Sequence, residues 1–325
     1  MELDEKAPRL QAPQLEWERL LDPLNKAADR IARLDERLRT SSLAEGWRSR
    51  TDFREAQAAL WVDGVLVSVE DLVLRDAGMD IRAPTPELSR AMVAYGLRRK
   101  IWRSSKDWAN SEEGRSAILG HLDGASRPRE VDDWFVPKAD HADRLTEWTE
   151  FVRKIEGLSP LIRAALALDL WKRTEPSERS PWAGAMMVGA QIRAAGATTS
   201  FLPLINIGLR ESQFNLRRNR ESSATDRAIW ILESFAVGAD YGLAEHDRMA
   251  LARETLGTKL KDRRTSSRMP DFVDLVLSLP IVTVPLVAAK LKVSPQAAQV
   301  LIDECGSLLR EVTGRRRYRA WSIGV

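Results

Sequence analysis

Apolar residues recur every three or four positions at Leu20, Leu24, Ala27, Ile31, Leu34 and Leu38, with Asp29, Arg33, Glu36 and Arg37 among the positions between them. That spacing gathers the apolar set on one face of a 3.6-residue helix, so the chain is predicted to open with an amphipathic helix whose other face is solvated. The same period returns in "LTEWTEFVRKIEGL", "SPLIRAALALDLWKRT", "WAGAMMVGAQIRAAG" and "ATDRAIWILESFAVGAD", each bounded by Gly, Pro or Ser. Residues 15–250 therefore read as mostly α. The best strand signal before residue 300 is "LWVDGVLVSV", where Asp63-Gly64 could turn a small hairpin; a helix preceding "VEDLVL" is the equal alternative.

Between the periodic segments, "SSKDWANSEEGRS" and "HLDGASRPREVDDWFVPKADH" are polar, rich in turn formers and predicted to be surface loops. Residues 257–269, "GTKLKDRRTSSRM", lack periodicity and mark a linker between a helical domain at 1–256 and a C-terminal domain at 270–325. Most of the eleven tryptophans fall on apolar helical faces, as Trp148, Trp171 and Trp230 do, which points to core packing rather than base stacking.

Composition adds limits. With 325 residues and 44% hydrophobic content the chain can bury two cores, and 50 Lys and Arg against 47 Asp and Glu leave a net charge of only +3, so any basic footprint must be local. The charged start "MELDEKAPRLQAPQLEW" and the lack of any run near the roughly 18 apolar residues of a spanning helix predict a soluble, cytoplasmic protein. Cys305 is the single cysteine, and His121, His141 and His246 are far apart, so no disulfide, metal or cofactor is expected.

The pattern changes at Pro270. "DFVDLVLSLP" reads as a short helix with Phe272, Leu275, Val276 and Leu279 on one face. Next, "TVPLVAAKLKV" offers Thr283 as N-cap, Pro285 in the first turn and Leu286, Ala289 and Leu291 as a packing set. In "KVSPQAAQVLIDECGSLL", Ser294 is the N-cap and Pro295 takes the first helical position. Ala298, Leu301, Ile302 and Cys305 then form the inner face, leaving Gln296, Ala297, Gln299, Val300 and Asp303 outward. Helix, short turn, helix is the helix-turn-helix plan, whose second helix reads base edges in the major groove. Gln296 and Gln299 can each donate to and accept from an adenine edge.

After Gly306, "LLREVTG" and "RRRYRAWSI" alternate like two strands around Thr313-Gly314, the outline of a wing. Residues 310–319 hold five arginines against Glu311 alone, a local charge of +4, and cations at that density attract phosphates. The candidate DNA-binding residues are thus Ser294, Gln296 and Gln299 with Arg315, Arg316, Arg317 and Arg319, and the expected partner is duplex DNA rather than a membrane.

Three segments together resemble the Fic family, helical proteins that transfer a nucleotide monophosphate to a hydroxyl. "SSLAEG" resembles the family's inhibitory-helix pattern through Ser41, Glu45 and Gly46; residues 158–196 resemble its core helix, catalytic loop and following helix; residues 270–325 resemble the winged-helix tail many members carry. The chain is also similar in kind to a rhizobial-type family of uncharacterised helix-turn-helix proteins. The departure lies in the loop. Where the family has HPFxDGNGR, this chain has "TEPSERSPWAG": Pro176 matches, Glu175 stands in place of the histidine base, Ser177 replaces Phe, and no Gly-Asn-Gly opens backbone N–H groups to phosphate. Pro181 even lacks a donor.

The expectation is a mainly α protein, a Fic-like helical domain with a degenerate loop followed by a winged helix-turn-helix with a small β-hairpin. It would act as a homodimeric, sequence-specific transcriptional regulator and not as an enzyme, with no catalytic residues. A divergent Fic-type nucleotidyltransferase, using Glu175, Glu178 or Arg179, and an antitoxin-like interaction protein are the alternatives.

Overall fold

The computed structural model describes residues 12–79, 83–115, 117–118, 138–177, 180–212, 222–260, 268–313 and 319–323. These residues are mainly helical, with one small antiparallel sheet near the C-terminus. The helices are α1 (Trp17–Thr40), α2 (Ala44–Val62), α3 (Val69–Asp76), α4 (Pro86–Arg103), α5 (Lys138–Lys154), α6 (Pro160–Thr174), α7 (Ala183–Ala194), α8 (Ile205–Glu211), α9 (Ala224–Leu260), α10 (Met269–Ser278), α11 (Val284–Leu291) and α12 (Pro295–Cys305). The strands are β1 (Val282–Thr283), β2 (Leu309–Glu311) and β3 (Ala320–Ile323). No described helix is long and apolar enough to cross a membrane.

The chain packs as two compact units, Met1–Asp35 with Gly96–Asp240, and Glu36–Tyr95 with Tyr241–Val325. In the first, α6 and α7 pack on each other, with α5 against α6 and α8 against α7. Trp148 and Trp171 meet edge to face at 5.2 Å, and their indole N–H groups donate to the carbonyls of Ala167 at 2.8 Å and Pro181 at 3.0 Å. These bonds satisfy the polar edge that a buried indole brings with it. Buried Asp169 accepts from Arg227 at 2.7 Å, so its charge is paired. Two glycines set the crossing of α8 with α9: a Cβ on Gly208 would come within 2.0 Å of the Ser234 carbonyl oxygen, and one on Gly238 within 2.3 Å of that of Leu204.

In the second unit, α2 packs on α10 and α3, with Phe53 stacked on Tyr95 at 4.3 Å. Gly46 lies against the carbonyl of Leu277, where a Cβ would sit 3.1 Å from the oxygen. Arg50 is buried and its Nε donates to Glu245 at 2.7 Å, while Nη1 donates to the carbonyls of Val276, at 3.1 Å, and Leu279. The last turn of α10 is therefore capped by a side chain from α2.

Most of the helical reading holds: Leu20, Ala27, Ile31, Leu34 and Leu38 are buried along α1, Leu24 is half-buried, and Asp29, Arg33, Glu36 and Arg37 are exposed. The hairpin at Asp63-Gly64 does not form. Gly64, at φ 79°, ends α2 with its N–H on the Trp61 carbonyl at 2.9 Å, and the Val65 N–H reaches back to Leu60 at 2.9 Å. That pair of bonds is the Schellman helix stop, which uses the same glycine a hairpin turn would. Ser68 then caps α3 by accepting from the Glu70 N–H at 3.1 Å.

Two packing faces also differ from expectation. On α10 the buried set is Met269, Phe272, Val273, Val276 and Leu277, with Leu275 and Leu279 half-buried; on α11 it is Leu286 and Val287, with Ala289 exposed and Leu291 half-buried. Trp148 and Trp171 are core residues, whereas Trp230 is half-buried. The stretch 104–116 holds a short 3-10 helix, Trp108–Asn110.

Candidate nucleic-acid interface

From Met269 onward the order is α10, β1, α11, α12, β2, β3, with the strands in spatial order β1-β3-β2. Thr283 leaves β1 and caps α11 through Oγ1, which accepts from the Leu286 N–H at 3.3 Å. Residues 292–294 turn the chain between the two helices. Lys292 adopts the left-handed conformation, φ 54°, and the Val293 N–H closes on the Ala288 carbonyl at 3.0 Å. Ser294 Oγ then accepts from the Ala297 N–H at 3.1 Å to start α12, with Pro295 where no intrahelical donor is needed.

One face of α12, formed by Ala298, Leu301, Ile302 and Cys305, is buried against the module. The opposite face carries Gln296, Val300 and Asp303. Gln299 stands to one side of that line and is half-buried, and its Nε2 donates to Asp303 at 2.7 Å. Because a carboxylate only accepts, that bond fixes which end of the amide faces Asp303. Ser294 works here as a cap. Gln296 and Gln299 thus share the helix that Ser294 caps, and Asp303 orients the Gln299 amide.

The wing pairs Leu309 with Ile323, Arg310 with Ser322 and Glu311 with Trp321. Arg319 donates to the Glu311 carboxylate at 2.7 Å and lies 5.1 Å from the Trp321 ring centre. Its hydrogen bond holds the Glu311 carboxyl below the usual carboxylate range, and Glu311 in turn raises the Arg319 guanidinium. The wing's first strand therefore offsets part of its own positive charge. Arg315, Arg316 and Arg317 lie outside the described residues.

Beyond the residues singled out from the sequence, the module exposes Lys290 in the last turn of α11, Lys292 in the interhelical turn and Arg310 on β2, the first arginine of the 310–319 cluster. Lys290 and Lys292 belong to no charge run, so only the turn geometry picks them out. Side chains beside a recognition helix are where phosphate contacts orient such modules.

Elsewhere, the loop after α6 turns at Glu175, φ 46°, and returns to α7 through buried Ser180 and Trp182. A Cβ on Gly184 would meet the Trp171 ring at 2.3 Å, so α7 lies tight on that indole. Glu178 and Arg179 are outside the described residues. Glu45 is exposed in the first turn of α2.

Residues 269–324 match the model of an HTH DNA binding domain, and residues 133–261 match a protein of unknown function family, DUF1612. Over 371 aligned positions the chain is 33% identical to the uncharacterized protein y4cF of Sinorhizobium fredii (strain NBRC 101917 / NGR234), covering 94% of this chain and 97% of the relative. The chain belongs to the y4cF family. In this member of the y4cF family, the DNA-binding match coincides with the module that begins at α10, and the DUF1612 match begins just before α5 and ends just past α9.

Proposed function

We propose that this member of the y4cF family is a sequence-specific, DNA-binding transcriptional regulator. The observation that carries the reading is α12: a capped helix, buried on one side by Ala298, Leu301, Ile302 and Cys305 and open on the other, inside a segment that matches a DNA-binding domain. Lys290, Lys292, Arg310 and the arginines at 315–317 supply phosphate contacts, and α12 enters the major groove. Two-fold operators suit such modules, so the active form is a homodimer.

The Fic-like reading of the helical part rests on sequence segments alone. Under it, this part senses or dimerises and transfers no nucleotide, a view supported by buried Trp182 and by the Trp171 bond to Pro181 at the loop where phosphate would be held. Millimolar nucleotide with Mg²⁺ is then expected to leave the melting temperature unchanged.

The test is binding of purified protein to genomic fragments, its own promoter among them, at two salt concentrations. At least one fragment is expected to bind about a thousandfold more tightly than bulk DNA. Equal affinity for all fragments, or none tighter than about 10⁻⁵ M, would overturn the reading.

A further inference from the structure

Val300 is 53% exposed in the middle of the open face of α12, between Gln296 and Asp303. Its neighbours on the outward side are the polar Gln296, Gln299 and Asp303 and the small Ala297, and the helix's apolar needs are met on the other side by Ala298, Leu301, Ile302 and Cys305. A branched apolar side chain placed there gains nothing from the folded chain. It gains from an apolar group on whatever the helix docks against.

In a B-DNA major groove the only apolar group on a base edge is the 5-methyl of thymine. We propose, building on the DNA-binding reading above, that Val300 is a specificity-determining residue that packs its isopropyl group on a thymine methyl. Gln296, one turn earlier on the same face, keeps its full amide for a neighbouring base edge. Gln299 has one amide hydrogen on Asp303, which holds the amide in place and leaves its second N–H and its carbonyl for a base edge. Base choice therefore draws on Gln296, Val300 and the amide of Gln299 that Asp303 holds in place.

The experiment selects bound duplexes from a random-sequence pool with the full-length protein, then replaces each thymine of the recovered site by deoxyuridine, which removes the methyl and keeps every hydrogen-bonding group. At one thymine, the replacement is expected to weaken binding about threefold to tenfold. Val300→Ala, an exposed substitution checked for an unchanged melting temperature, should bind the thymine and deoxyuridine duplexes equally. If a site is recovered but no thymine is sensitive, or if Val300→Ala keeps the full discrimination, the role of Val300 is overturned while the regulator reading stands. A pool that returns no preferred sequence overturns both.

Discussion

Arg50 and Glu245 form a buried ion pair at 2.7 Å, and the same guanidinium donates to the carbonyls of Val276 and Leu279 at the end of α10. Glu245 also accepts from Arg248 at 2.6 Å, so one buried carboxylate holds two cations. Removing Arg50 leaves Glu245 under-paired and strips α10 of its C-terminal donors. Arg50→Met is expected to lower unfolding stability by about 3 kcal/mol. The double variant Arg50→Met with Glu245→Gln should cost less than the two single losses added, measured by urea denaturation.

Two buried groups of the same unit make stability depend on pH in different windows. Burial, then the nearby Arg37, lowers His246 from its ordinary 6.5, so the folded state favours the neutral ring whose Nε2 faces Ser41 Oγ at 2.8 Å. Its contribution is complete above pH 6.5 and is lost as pH falls from there through the lower folded value. Burial pushes Glu245 up, but Arg50 and Arg248 outweigh it and hold the group below 4.5; its contribution is complete above that pH and is lost at more acid values. In a melting-temperature series, His246→Asn should flatten the slope just below pH 6.5 and leave the more acid slope in place.

Lys292 sits in the left-handed region at φ 54°, which glycine adopts freely and β-branched residues resist. Lys292→Val is expected to destabilise the protein by about 1–2 kcal/mol. Lys292→Gly should be neutral or stabilising by about 0.5 kcal/mol. Both should weaken DNA binding uniformly across sequences, because each removes the same cation.

Glu311 neutralises Arg319 within the wing. Glu311→Gln is therefore expected to tighten binding to all duplexes and to raise the salt slope by about one counterion. Arg319→Ala should cost less affinity than Arg310→Ala, as titrations at two salt concentrations would show.

A methyl at Gly208 would land 2.0 Å from a backbone oxygen of α9, which cannot swing aside as a side chain can. Gly208→Ala should lower stability by about 2 kcal/mol or more in thermal unfolding.

Local signals were legible in the sequence wherever the deciding partners are neighbours. The α1 stripe, the Ser294 and Thr283 caps and the inner face of α12 follow from residues within two turns of each other. At Asp63-Gly64 the sequence leaves hairpin and helix open, because a hairpin turn and a Schellman stop ask for the same residue and only the bond from Val65 to Leu60 separates them. β1 leaves no local signal, since its two residues become a strand by pairing with Trp321 and Ala320. The buried face of α10 shifted for a similar reason, with α2 and Arg50 as its partners.

By itself, then, the sequence determined helix positions, caps and the helix-turn-helix plan, because these rest on short-range periodicity and on hydrogen bonds closed within one turn. Tertiary structure alone decided the contacts between residues far apart in the chain: Arg50 reaches Glu245 and the end of α10, and Val282 and Thr283 become a strand on Trp321 and Ala320, because only folding brings such partners within hydrogen-bonding distance.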